Sequence, residues 1–204
     1  IPIKHVWQED LGFRLTTIRN KALAASACDY VLQIDGDVVL EHHFVEDHLS
    51  IAKPGYYVCG SRVLLTKKQT AEFFAKYSAS NGPLKIKSGI GGSLNSHRVG
   101  WLKHILKSIY GRRKDHIRGC NFAAWLSDFK KINGYNEDVE GWSHEDAELV
   151  FRLINLGVRK FYLKFGGVVY HLHHKSASKD KEDECFKIMQ KTLDEAVTWC
   201  NNGM

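Results

Sequence analysis

Paired cysteines and long apolar runs are both missing from this sequence. The five cysteines, Cys28, Cys59, Cys120, Cys185 and Cys200, form an odd set with no Cys-x-x-Cys pair. That argues against a disulfide framework or a thiolate zinc cage and fits a reducing cytosol. No stretch approaches the roughly 18 consecutive apolar residues of a membrane span, and no short apolar core follows a basic N-terminus. Neither a spanning helix nor a signal peptide is expected. No internal repeat is visible, which excludes an array of stacked repeats.

What is present is ordinary for a globular protein: 204 residues, 44% apolar and 25% charged. That is enough to bury a core in one domain, or in one large part of a domain. The first residue is Ile rather than Met, so an upstream stretch is expected. The net charge is +6, and seven basic residues fall between Arg98 and Arg118. Such an excess fits an anionic partner: a nucleic acid, an anionic membrane surface or a nucleotide diphosphate.

Along the chain, Leu15, Ile18, Ala22 and Ala25 recur at helical spacing, and residues 30–34 then read as a short buried strand. That strand ends in Asp35-Gly36-Asp37, where the glycine permits an unusual backbone angle. In open α/β sheets the carboxyl edge is where ligands sit. A second strand over 56–65 is interrupted by Gly60-Ser61-Arg62. Residues 67–118 read as a mobile, irregular basic excursion, glycine-rich at Gly89, Gly91 and Gly92 and partly amphipathic over 99–110. Ser127 is placed to cap a short helix closed by Gly134, and a longer helix begins near Ser143, with Leu149, Leu153 and Leu156 on one face and Gly157 at its end. Residues 161–165 and 168–170 are strand-like, and a last helix carries Phe186, Met189, Leu193 and Val197.

Three clusters carry chemistry. Two carboxylates flanking one residue at a strand end, Asp35 and Asp37, suit a hard divalent cation and a diphosphate, although turns are also rich in Asp and Gly. In Gly141-Trp142-Ser143-His144-Glu145-Asp146, two acids enter the first turn of a helix. A plain N-cap explains part of that, while the tryptophan offers a face on which a sugar ring stacks. His171, His173 and His174 follow a strand, and a neutral imidazole there would complete a metal sphere begun by Asp37.

The order of these segments, with Arg118-Gly119-Cys120-Asn121 between them, resembles family 2 glycosyltransferases with a galactosyltransferase-like C-terminal half. It is similar to the catalytic domains of bacterial chondroitin polymerase and of β-1,4-galactosyltransferases. Residues 8–14, ending in Arg14, and the Arg19-Asn20 pair resemble the segment before their metal motif. The resemblance implies an α/β GT-A fold, a Rossmann-like mixed sheet flanked by helices, here lacking its N-terminal strands. Residues 1–204 would be the C-terminal major part of a single GT-A catalytic domain. By the same resemblance Asp37, His171 and His174 hold Mn²⁺ or Mg²⁺, Asp35, Arg14 and Arg19 contact the nucleotide-sugar, and Asp146 is the catalytic base. Trp142, Glu145 and Asn121 would bind the acceptor or the sugar. The family usually has Gly-Trp-Gly before the acidic pair, whereas this chain carries Ser143.

The function expected is inverting, metal-dependent transfer from a UDP-sugar to a carbohydrate or glycolipid acceptor, in bacterial surface polysaccharide or lipid-linked glycan synthesis. The basic run would bring a cytoplasmic protein to the inner face of the membrane. The alternative is a non-catalytic sugar-binding or scaffold fragment of such an enzyme. No zinc finger, recognition-helix pattern or interleaved aromatic strand points to nucleic acid.

Overall fold

The computed structural model describes residues 2–77, 86–112, 117–175 and 178–204. In chain order its elements are α1 (Leu15–Ala24), β1 (Tyr30–Ile34), β2 (Val38–Leu40), α2 (Phe44–Ile51), β3 (Tyr56–Gly60), β4 (Arg62–Leu64), α3 (Lys67–Tyr77), a 3-10 turn (Leu94–Ser96), α4 (Leu102–Gly111), β5 (Asn121–Trp125), α5 (Leu126–Lys131), α6 (Glu145–Asn155), β6 (Arg159–Leu163), β7 (Val169–His171) and α7 (Glu182–Asp194). The architecture is mixed α/β, with mixed sheets and helices, as expected of the GT-A class. No helix among the described residues is long and apolar enough to cross a membrane. The chain divides into two compact units, one of Ile1–Val31, Ala124–Arg159 and Ser176–Met204, the other of Leu32–Ala123 and Lys160–Lys175.

In the first unit the buried side of α1 is Thr16, Asn20 and Leu23, not the apolar stripe the spacing suggested. Asn20 explains the rotation. Its amide donates to the Tyr135 carbonyl and to Glu137 Oε1, both at 2.9 Å, and accepts the Tyr135 N–H at 2.7 Å. A buried amide so satisfied replaces an apolar contact.

α5 forms where expected but is not capped by Ser127, which lies exposed inside it. The Leu126 N–H instead donates to the Asp29 carbonyl at 2.8 Å. α6 buries Leu149 and Leu153, while Leu156 is 37% exposed because it is already the C-cap. Gly157, at φ +90°, and Val158 donate back to the Ile154 and Leu153 carbonyls, both at 2.9 Å, which closes the helix in a Schellman motif.

Between α6 and α7 lies a charge with no exposure. Arg152 binds Glu148 through two hydrogen bonds of 2.8 and 2.7 Å and also donates to the Ile132 carbonyl. Thr192 of α7 donates to the same Glu148 at 3.1 Å. This bond turns Cys185, Met189 and Thr192 inward and leaves Phe186 and Leu193 largely exposed, contrary to the apolar stripe expected there.

A four-stranded sheet runs β1-β5-β3-β6, and in the second unit a three-stranded sheet runs β2-β7-β4. β1 occupies the expected residues but is only half-buried. The interruption expected near Gly60 is a change of sheet: β3 pairs antiparallel with β5, and after the buried Ser61 the chain re-enters as β4, parallel to β7. β2 lies antiparallel to β7 on its other side. The core beside this small sheet is Val63, Leu65, Phe73, Ile86, Val168 and Tyr170. The stretch read as irregular contains α3, the 3-10 turn and α4 among its described residues.

Candidate metal centre and acidic pair

In the second unit the strand register places the candidate ligands. Val38 stands opposite His171 across the antiparallel pair, and the Leu172 N–H donates to the Asp37 carbonyl at 2.9 Å. Asp37 is thereby fastened beside the end of β7. Asp37, His171 and His174 each offer one ligand atom, all within 4.8 Å of one another. His174 Nε2 lies 2.8 Å from Asp37 Oδ2, and His171 Nε2 lies 3.6 Å from Asp37 Oδ1.

The opposite nitrogens of the two rings decide what that cluster wants. His171 Nδ1 is 3.0 Å from the Leu172 carbonyl and His174 Nδ1 is 2.8 Å from the Lys175 carbonyl. A carbonyl only accepts, so each Nδ1 carries hydrogen, and in the neutral ring each Nε2 then presents its lone pair. Two lone pairs and a carboxylate lie close together, an arrangement that a divalent cation stabilises. Asp37 Oδ1 is moreover buried with no hydrogen-bond partner among the described residues, an orphaned acceptor of the kind a ligand ion satisfies. The donor set therefore fits a metal. One carboxylate with two imidazoles suits Mn²⁺ or Zn²⁺ better than Mg²⁺, which prefers oxygen ligands and retained water. The backbone carbonyls supply the outer support that fixes ring orientation.

His173 does not join this group; its N–H donates to Thr70 Oγ1 at 2.9 Å and its side chain is exposed. Asp35 is half-buried in the turn before Asp37. Gly36 does not use left-handed backbone freedom, contrary to the reading of the triplet, and a side chain there would meet open space. Asn121, expected at a sugar, is wholly buried: its amide donates to the Ser61 and Gly167 carbonyls, both at 2.8 Å, and its oxygen lies 2.9 Å from His48 Nε2. It is a strut of the sheet rather than a ligand contact. Burial pushes His48 down to about 4, so that ring is neutral and donates to Asn121.

The acidic pair belongs to the first unit. Ser143 and His144 enter α6 at φ +139° and +64°, and no side chain caps the helix, so a plain N-cap does not account for the segment. The strained entry instead turns Glu145 inward, where it is 8% exposed. Arg19 reaches Asp146 Oδ1 at 2.8 Å and Glu145 Oε1 at 4.0 Å. The Tyr135 hydroxyl lies 3.4 Å from Asp146 Oδ1, and the Arg19 guanidinium sits 5.2 Å from the Tyr135 ring centre. Burial, and then the negative charge of Asp146, raise Glu145 from 4.5 to about 7. A carboxyl poised there both donates and accepts hydrogen bonds near neutral pH.

Arg19 is thus the counter-ion of the acidic pair, not a group held free for a diphosphate. Arg14 donates to the Glu9 carbonyl at 2.6 Å. Trp142 is 37% exposed, with the Lys179 ammonium 5.2 Å from its ring centre. Neither Tyr135 nor Lys179 stood out in the sequence. Tyr135 follows Gly134 as any loop residue would, and Lys179 is one lysine in a polar link.

Comparisons with known proteins bear on both halves. A family model described as the N-terminal domain of galactosyltransferase matches residues 103–175, which include Trp142, Glu145, Asp146, His171 and His174 but not Asp35 or Asp37. Chondroitin synthase of Pasteurella multocida (strain Pm70) is 26% identical over 217 residues, covering 98% of this chain and 22% of that protein. Chondroitin synthase of Escherichia coli is 26% identical over 192 residues, covering 83% of this chain and 26% of that protein. This chain spans about a quarter of the length of the curated relatives it matches. Two solved structures align over the whole chain at 16% identity. A mycobacterial protein is covered to 55% with a TM-score of 0.46, and glucosyl-3-phosphoglycerate synthase from Mycobacterium tuberculosis, in complex with phosphoglyceric acid, to 59% with a TM-score of 0.45. The sequence matches support a family 2 glycosyltransferase-like relationship.

Proposed function

We propose that this chain is the metal- and acceptor-bearing part of an inverting glycosyltransferase that moves a sugar from a UDP-sugar to a carbohydrate acceptor. The observation that carries the reading is the gathering of one ligand atom each from Asp37, His171 and His174 within 4.8 Å of one another. A cation held there supplies positive charge for a diphosphate leaving group. Asp35 contacts the nucleotide-sugar and Trp142 offers its exposed face to the acceptor ring. Glu145 exchanges hydrogen bonds with a sugar hydroxyl. Asp146 takes the proton of the attacking hydroxyl while Arg19 and Tyr135 hold it in place. Attack from the face opposite the nucleotide inverts the anomeric carbon. Two relatives named chondroitin synthase support a part in glycan synthesis, and we assign this chain to surface polysaccharide or lipid-linked glycan assembly on the cytosolic side.

The test is calorimetric titration of Mn²⁺ and then UDP into the chain and into its Asp37→Ala variant. Loss of one of three ligands lowers Mn²⁺ affinity by at least the tenfold to hundredfold that an outer support group alone costs, and UDP binding follows the metal. Equal UDP affinity with and without Mn²⁺ in the native chain would overturn the metal centre. Metal-dependent UDP binding with no transfer to any saccharide would select the non-catalytic fragment.

A further inference from the structure

α4 faces the wrong way for a helix that merely packs on a core. Lys103 is turned inward and is 3% exposed, whereas Trp101, Ile105 and Ile109 are 67%, 56% and 58% exposed. Positions four apart share a helix face, so these three side chains form one apolar stripe. Its orientation is fixed from within. Lys103 and Arg98 both bind Asp47, a carboxylate with no exposure that also accepts the Gly167 N–H at 2.9 Å. Rotating α4 to hide the isoleucines would pull a buried ammonium off that carboxylate. The Val99 N–H, donating to the Phe165 carbonyl at 2.9 Å, holds the approach to the helix in the same way.

The sequence around the stripe is basic. From Phe73 to Arg112 the sequence contains no Asp or Glu. Asp47 and Glu46 pair with Arg98 and Lys103, Lys107 holds its ammonium 4.7 Å from the buried Phe161 ring centre, and Arg112 is left exposed. An exposed tryptophan and two isoleucines beside an exposed arginine, in a stretch with seven basic residues between Arg98 and Arg118, are the composition of a helix lying in the plane of an anionic membrane interface. Ten residues are too few to span a bilayer. A second copy of the same face is disfavoured, since pairing it with itself would oppose like charges across the contact.

We propose that the outer face of α4 docks on an anionic bilayer surface, with Trp101, Ile105 and Ile109 inserted at the headgroup level and Arg112 against lipid phosphate. The argument uses the second unit alone and stands whether or not the chain transfers sugar.

Sedimentation of the chain with equimolar phosphatidylglycerol–phosphatidylcholine vesicles, against pure phosphatidylcholine vesicles, tests it. The anionic vesicles bind at least tenfold more tightly, and high salt weakens that binding. Ile105→Asp with Ile109→Asp removes at least tenfold, and Arg112→Gln removes roughly fivefold, the share of one cation near such a surface. Trp101→Ala, a milder change at an exposed position, weakens binding in the same direction and serves if the double variant loses its circular dichroism. Equal affinity for the two vesicle types, or full binding by a folded double variant, overturns the proposal. So does absence of vesicle binding by the native chain, with or without a concentration-dependent dimer that the double variant abolishes.

Discussion

Replacing Glu145 with glutamine tests the acidic pair with no ligand at all. Glu145 is 8% exposed, and burial together with the neighbouring charge of Asp146 raises it from 4.5 to about 7. In the unfolded chain it ionises near 4.5. Between these values the native state keeps a proton that the unfolded state has lost, so stability falls as pH rises. Below 4.5 both states are protonated and the native fold carries no penalty; above 7 both are ionised and it carries the whole of it. Two and a half pH units at about 1.4 kcal/mol each set an upper limit of roughly 3 kcal/mol, a sizeable part of an ordinary domain's stability. Glutamine keeps the shape of the protonated acid. The Glu145→Gln chain therefore matches the native one at about pH 4.5 and exceeds it by up to about 3 kcal/mol at about pH 8. Urea unfolding of both proteins at several pH values measures the difference directly, since every other titrating group is common to the pair. A difference that does not grow with pH, or a variant less stable at the alkaline end, would refute the assigned burial of this carboxyl.

Other expectations follow from single features. Ser143 holds φ +139°, a region in which glycine is at ease, so Ser143→Gly should raise stability by about 1 kcal/mol; an unchanged or lower thermal midpoint counts against the strained entry to α6. Arg152→Leu leaves Glu148 ionised and buried without its partner and should cost about 3–5 kcal/mol in denaturant unfolding, much of it recovered when Glu148→Gln is added. Asp146→Asn should keep Mn²⁺ affinity within a factor of about two while lowering transfer by about 10²–10⁴, the usual worth of a positioned base; undiminished transfer would remove Asp146 from that role.

The sequence was most informative where local rules coincide with tertiary ones. β1 and the Gly157 stop lie where residue type and spacing put them, because strand ends and helix stops depend on few neighbours, whereas the choice of His171 and His174 over His173 came from the family resemblance. It misled where a buried polar group overrode an apolar pattern. Asn20 turned α1, and the Thr192 bond to Glu148 turned α7. Neither partner is near in sequence, so no window of local periodicity contains the information. Asn121 failed for the same reason. An asparagine in a motif is indistinguishable from a ligand contact until Ser61, Gly167 and His48 are seen to consume its amide. The inward Lys103 was equally hidden, because the carboxylate that draws it in lies 56 positions away.

The strand that changes sheets at Ser61 has a genetic consequence. A Cβ placed on Gly60 would overlap the Asn121 side chain, which is itself committed to three partners in the same unit. Positions 60 and 121 therefore share one volume. Neither can drift alone: a larger residue at 60 evicts the amide, and a smaller one at 121 strands His48 and two carbonyls. Among descendants of this sequence the two sites should be inherited as a pair, changing together or not at all, and a suppressor screen begun from Gly60→Ala should return to position 121.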